Sequence, residues 1–362
     1  RNPFQRDKDR IIHSEYFRLL KHKTQVFLAH TEDYYRTRLT HSLEVSQIAR
    51  TIARILNVDE DLAEVLALSH DLGHPPFAHS GEEVLDECMK DFGGFDHNIQ
   101  TLKIVTSLEK RYPNFNGLNL SWETLEGILK HNGPIKDYEP KSPKGFFINS
   151  YIKEHDLEIL TFPGLEAQIA SLSDDIAYNN HDIDDGFRAK KFKINDLCEI
   201  EIIDRIYRDI ISEYKNLDEF MTVQEIVRRL IGFMVNDLIL ETQKNLDNLK
   251  PKKVSDIRNH DRPIAMFSEN MKIQDKELKK FLLKKVYKHS SMEKNRDQSR
   301  NIIKELFSSL LDNINLLPDH LRILCQHNSE SKNAYVICDY IASMTDRSAT
   351  ANHAKVINNQ KL

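Results

Sequence analysis

Apolar residues return every three or four positions along most of this chain, and the places where that rhythm stops predict its elements. Over residues 40–58 the positions Leu43, Val45, Ile48, Ile52 and Leu56 recur at helical spacing. A second helix is expected from Asp59, with Leu62, Val65, Leu66 and Leu72 as its apolar stripe. It should stop at Gly73, ahead of Pro75 and Pro76. Ser80 opens the string S-G-E-E, which predicts a capping box with Glu83 three residues after the cap. Further helices are expected after Asp96, over 122–130, and as one long element from about Gly164 to Asp185. Residues 138–147 hold two prolines and a glycine and predict a loop, its lysines a solvated surface. Amphipathic patterns then predict helices over 223–248, 276–288 and 300–311. The basic loop 249–262 separates them, and a break follows at 316–318. Strand-like alternation is confined to 192–194 and 200–202, enough for a small ribbon at most. The expected fold class is all-α.

Composition narrows the picture. A chain of 362 residues exceeds the usual single-domain size, so one or two packed helical units are expected. Its first residue is Arg1 and not Met, so a few residues are expected upstream. Nothing approaches the run of about eighteen apolar residues that spans a bilayer, and no signal-peptide pattern is present; the expectation is a cytoplasmic protein. Cys88, Cys198, Cys325 and Cys338 are far apart, form no CxxC pair, and predict reduced packing thiols rather than a disulfide frame. A net charge of −5 with pI near 6.4 gives no bulk attraction to nucleic acid.

The candidate chemistry lies mostly in the first half. His70 and Asp71 are adjacent at an expected helix end, and His41 lies on the preceding helix. Adjacent His and Asp converge on one metal only where the helix is ending, which suits the stop at Gly73. Two imidazoles with carboxylates make a mixed N/O site apt for Mn²⁺, Fe²⁺, Ni²⁺, Mg²⁺ or Zn²⁺. Taken alone, a His-Asp pair more often serves a surface or capping role. On the long helix Asp174, Tyr178 and Asp182 are four apart and share a face, with Ile169, Leu172, Ile176 and Ile183 largely on the other side. That polar file is either aimed at a ligand or simply solvated. The string HDLGHPPFAHSGE sets His70, His74, His79 and Glu82 within thirteen residues, and His97 follows in GGFDHN. His79 is expected just before a helix N-cap, where backbone N–H groups favour phosphate oxygens, with Glu82 in the first turn to orient its imidazolium.

These strings, together with QRDKDRIIHSEYFRLLKHKTQVF, YYRTRLTHSLEVSQIARTIAR, LSWETLEGILKHNGP, SDDIAYNNHDIDD and DYIASMTDR, resemble the bacterial deoxyguanosinetriphosphate triphosphohydrolase-like branch of the HD-domain superfamily. They run from Gln5 to Arg347, nearly the whole chain. The resemblance implies an all-α fold, one divalent metal ion per HD site, and hydrolysis of a deoxynucleoside triphosphate to deoxynucleoside and inorganic triphosphate. It implies an HD core at 1–190, with inserted helices at about 98–163. A helical region at 191–362 would pack on that core and contribute to oligomerisation or the substrate site. Carried across by motif, His41, His70, Asp71 and Asp174 are the metal ligands. Arg38 resembles the triphosphate-contacting arginine, and His79, Glu82 and His97 the catalytic and phosphate-contacting group. Tyr178 resembles the residue that packs on the sugar and Asp182 the acceptor of the 3′-hydroxyl. Gln25 and His74 fall with the substrate contacts.

In this reading His79 is the general acid, Glu82 holds it protonated, and His97 either contacts phosphate or assists the water. A homo-oligomer is expected, and an allosteric nucleotide or single-stranded DNA is a further possible partner. Where relatives commonly have GMTDRYA this chain has SMTDRSA, with Ser343 and Ser348, so the role of the missing tyrosine is open. The competing readings are an HD phosphohydrolase of other specificity, nucleotidase or phosphodiesterase, and a non-enzymatic nucleotide- or nucleic-acid-sensing module. Base preference, physiological metal and oligomeric state are not written in the sequence.

Overall fold

Short polar residues start many of the helices. The side chains of Asn2, Ser14, Thr37, Asp59, Asp96 and Asp218 each accept a backbone N–H from the turn that they open, satisfying donors that have no partner inside the helix. The structure is a computed structural model that describes residues 1–27, 34–136, 143–326 and 329–359, with backbone alone at 143–146, 149, 290–292 and 359. The fold is all-α. Its first helices are α1 (Pro3–Ile12), α2 (Glu15–Leu19), α3 (Arg38–Ile55), α4 (Glu60–Ser69), α5 (Ala78–Cys88) and α6 (His97–Lys103). Then come α7 (Trp122–Leu129), α8 (Pro143–Ile152), α9 (Leu165–Arg188), α10 (Ile194–Leu197), α11 (Glu201–Glu213) and α12 (Glu219–Leu249). The last are α13 (Val254–Arg258), α14 (Glu269–Leu282), α15 (Ser290–Asp312), α16 (Asp319–Cys325), α17 (Glu330–Ser343) and α18 (Asp346–Asn359). Among the described residues none of these is long and apolar enough to cross a membrane.

Two apolar cores organise the helices. The first joins α3, α4 and α9, which pack on one another, with side chains of α7, α11, α12 and α14 around them. The second joins Val84 and Leu85 of α5 to α15, α16, α17 and α18. Phe192, Ile203, Leu238 and Val286 all belong to the first core, so its packing continues past residue 190, while the second core takes Phe77, Met89 and Phe95 as well as Val84 and Leu85 from the first half.

Three local expectations are corrected. Residues 192–194 and 200–202 form no ribbon; α10 begins at Ile194 and α11 at Glu201, because Ile202, Ile203, Ile206 and Ile210 bury one helical face. The predicted loop at 138–147 is helical from Pro143, where proline suits a first turn, and 138–142 lie outside the described residues. Ser80 caps nothing. Phe77 and Ala78 take left-handed φ of 66° and 55°, and α5 starts at Ala78, two residues before the expected cap. Gly81 permits that start, since a Cβ there would lie 1.9 Å from the Pro76 carbonyl oxygen. His79 therefore sits in the first turn of α5, and Glu82 one turn further in.

Candidate metal centre

The end of α4 aims His70 and Asp71 at α3 and α9. Gly73 allows this: a Cβ there would stand 2.1 Å from His97 O, and its N–H donates to Thr101 Oγ1 at 2.9 Å, so α6 lies directly on the turn. His41 Nε2 and Asp174 Oδ1 are 2.8 Å apart, and His70 Nε2 is 3.5 Å from both Asp71 Oδ1 and Asp174 Oδ1. His41, His70 and Asp71 offer ligand atoms within 4.8 Å of one another, and Asp174 closes the group against both imidazoles. His70 Nδ1 meets Ala67 O at 2.7 Å, which leaves Nε2 turned to the centre. His70 Nε2 and Asp71 Oδ2 are buried without a hydrogen-bond partner among the described residues. Two orphaned atoms, two imidazoles and two carboxylates converging on one point suit a divalent cation of the N/O-binding kind.

The electrostatics agree. Burial alone would lower the His70 pKa, but the Asp71 and Asp174 carboxylates outweigh it and raise it to about 9. Burial alone would raise Asp71, yet the Arg38 guanidinium and His70 hold it down at about 2. Asp174, pushed up by burial, is driven well below the carboxylate range by His70, His131 and His41. A cation held by His41, His70, Asp71 and Asp174 would take the place of the protons that these groups share. Arg38 is almost wholly buried, and its Nη1 donates to Asp71 Oδ1 at 2.7 Å. Neither Arg38 nor any of the four quartet residues lines the cavity described below.

A proton-handling group adjoins. His74 Nε2 lies 3.3 Å from Asp71 Oδ1, and its ring stacks on His97 with centroids 3.9 Å apart. Glu82 Oε1 accepts from His97 at 2.7 Å, while Glu82 Oε2 is 3.7 Å from His74 Nδ1 and 3.9 Å from His79 Nδ1. Glu82 thus grips His97 more closely than His79. Burial works against the charge on His97, but Glu82 and Asp96 raise its pKa above the usual histidine value. Burial, Arg38 and His97 push His74 well below it. His79 is 59% exposed and meets the Tyr178 hydroxyl at 3.4 Å through Nε2.

His79 and Tyr178 open on a cavity of about 360 Å³. Gln25 and Phe77 line it from the first half of the chain, Leu283, Tyr287 and Arg296 from the second. Gln25 Oε1 is buried without a partner among the described residues. Asp182 is 1% exposed and does not line the cavity; the Tyr287 hydroxyl donates to its Oδ2. Burial drives the Asp182 pKa well above the carboxylate range despite that bond. The structure therefore brings the four expected ligands together and gathers His74, His79, Glu82 and His97 beside them. It sets Arg38 and Asp182 behind other groups.

Sequence reasoning missed several neighbours. His181 Nδ1 meets His41 Nδ1 at 3.2 Å and its Nε2 reaches Glu44 at 2.5 Å, a relay behind a ligand. Its spacing of seven from Asp174 was a usable sign, since seven residues return to one helical face. His131 Nε2 stands 3.6 Å from Asp174 Oδ2. Tyr287 left no sign, and although Lys23 and Asp346 lie inside the family strings, chain order does not show that Lys23 meets His74 or that Asp346 meets Thr24 and Phe77.

Two family models match the chain: the HD domain over residues 38–179 and the phosphohydrolase-associated domain over 265–355. A curated protein of Parvibaculum lavamentivorans named deoxyguanosinetriphosphate triphosphohydrolase-like is 48% identical over 359 residues, 98% of this chain and 90% of its own. Relatives with the same name from Brucella suis and Caulobacter sp. are each 49% identical over 98% of this chain, covering 89% and 90% of their own. A solved structure of a hypothetical protein from Aquifex aeolicus aligns with 87% of this chain and 79% of its own at 18% identity and a TM-score of 0.33.

Proposed function

The chain belongs to the deoxyguanosinetriphosphate triphosphohydrolase-like family of HD-domain phosphohydrolases, and on that footing we propose that it hydrolyses deoxynucleoside triphosphates to deoxynucleoside and inorganic triphosphate. One observation carries the reading. A cation-holding quartet and a separate proton-handling group stand side by side, joined by the 3.3 Å approach of His74 to Asp71, and the second opens on the cavity through His79. The aromatic faces of Phe77, Tyr178 and Tyr287 suit a nucleoside, and the histidines suit its phosphates.

His41, His70, Asp71 and Asp174 would hold the cation, which supplies Lewis-acid chemistry toward a phosphoryl oxygen and water when bound. In the proposed step water forms the new bond to the α-phosphorus and the bond from phosphorus to O5′ breaks. A deoxynucleoside alkoxide is a poor leaving group, so it needs a proton as it departs. His79 is placed to give that proton, being exposed at the cavity rim. His97, held charged by Glu82, neutralises phosphate oxygens and keeps a second proton close by. Arg38 keeps Asp71 ionised from behind.

The test is product analysis in ¹⁸O-labelled water with the metal-loaded protein. The expected products are triphosphate carrying the label and an unlabelled deoxynucleoside. Pyrophosphate with a deoxynucleoside monophosphate, or label in the nucleoside, would overturn the reading.

A further inference from the structure

Both edges of the cavity are tied to a residue that lies in neither the quartet nor the proton-handling group. Asp346 opens α18 and is buried, 4% exposed. Its Oδ1 accepts from Phe77 N at 3.0 Å and its Oδ2 from Thr24 N at 3.1 Å. Bonds from backbone N–H to a carboxylate are among the strong ones in proteins. Lys23 reinforces the tie: its Nζ donates to His74 O at 2.5 Å and to Ala342 O at 2.9 Å. Two segments from the first half of the chain, 23–24 and 74–77, are thus fastened to the turn between α17 and α18.

Each fastened segment carries a cavity side chain, Gln25 just after Thr24 and His79 two residues after Phe77. The second segment needs fastening. Phe77 and Ala78 hold consecutive positive φ angles, which non-glycine residues keep only where the surroundings over-determine them. The first segment passes its position on, since Thr24 bridges to Thr37 and Arg38 N donates to Lys23 O at 3.1 Å at the start of α3. Ser348, at the departure from the family string, shares reciprocal hydrogen bonds of 3.2 Å with Thr345 and so sets where α18 begins.

We infer that Asp346 is a positioning residue: its carboxylate holds Thr24 and Phe77 so that Gln25 and His79 keep their places on the cavity wall, which makes the C-terminal helices part of the active site. What is lost without it depends on the proposed hydrolysis; the positioning itself is measurable without turnover.

The experiment compares the full chain with Asp346→Asn and Ile210→Ala by hydrogen–deuterium exchange, bound-metal analysis and kinetics. An amide in place of the carboxylate keeps one acceptor and turns an NH₂ toward the other backbone N–H. Exchange at peptides covering 23–27 and 74–81 should rise about tenfold or more, the size expected for one lost charged hydrogen bond. The α9 peptides and the bound metal should not change, and kcat should fall about 10²-fold, as for a catalytic group displaced by about an ångström. Ile210→Ala loosens the first core at α11, away from this tie, and should raise exchange in α11 and α12 while sparing 23–27, 74–81 and kcat. Unchanged exchange at those two peptides in Asp346→Asn, or an equal rise there in Ile210→Ala, would overturn the inference. If Asp346→Asn does not fold, Ser348→Ala gives the same reading, with a rise expected at both peptides and its absence overturning the proposal. If the unaltered protein releases no triphosphate, the functional reading fails while the exchange pattern still decides this one.

Discussion

The quartet His41, His70, Asp71 and Asp174 rests on three helices of one core, whereas the cavity beside it takes its walls from both. The quartet's supports are local or within that core: Ala67 O for His70, Arg38 for Asp71, His181 for His41. The cavity's supports come from far along the chain, with Tyr287 on Asp182 and Asp346 on Phe77 and Thr24. A cation site tolerates little misplacement and profits from short, rigid supports. A wall that must admit a ligand can be shared between cores, and its shape can then change without disturbing the centre.

The largest effect expected from breaking this division is at the quartet. His70→Ala should remove bound metal and turnover together while helical circular dichroism persists. Metal content equal to the unaltered protein would mean that His70 is no ligand. Next comes the proton donor. His79→Ala should lose about 10²–10⁴-fold in turnover with the metal retained, and recover partly on substrates with a better 5′ leaving group. Equal losses on good and poor leaving groups would move the acid role to His97.

Glu82→Gln tests the electrostatics of the rim with a shift rather than a loss. Glu82 raises the His97 pKa by stabilising the charged ring, so neutralising Glu82 lets the proton leave at lower pH. The alkaline limb of the pH–rate profile should therefore move toward acid; a limb that stays in place would detach His97 from catalysis. Glu82 itself is held well below the carboxylate range, against burial, by His79 and His97. Its contribution to stability is therefore present above the unfolded carboxylate value and lost as pH falls through the folded one. The smallest expected effect is at the shared wall. Tyr287→Phe frees Asp182 Oδ2, and should alter the ratio of kcat/KM for 3′-hydroxyl over 3′-deoxy substrates by about two- to tenfold, the net value of one hydrogen bond. An unmoved ratio would remove Asp182 from sugar recognition.

The quartet's members stand at marked positions in chain order, and the family resemblance joined them into a ligand set. His70 and Asp71 precede a glycine stop, and Asp174, Tyr178 and Asp182 repeat at four. The start of α5 was not legible. Ser80 with Glu83 makes a sound capping box, but the Asp346 carboxylate bonds Phe77 N, Gly81 allows Pro76 to approach, and helix begins at Ala78 instead. Local preference of about 1 kcal/mol for a cap yields to several tertiary contacts acting together.

By itself the sequence determined the all-α class and the helices that carry His41, His70, Asp71 and Asp174, while the reading of those four as a ligand set came with the family resemblance. The class and the helices follow from periodicity and short-range spacing, which a helix converts directly into a shared face. Only the tertiary structure decided which histidine Glu82 grips, that Tyr287 stands on Asp182, and that Asp346 fastens both edges of the cavity. Those contacts join residues 15, 105, 269 and 322 positions apart, where no period links one side chain to the other. Their geometry exists only once the two cores have packed.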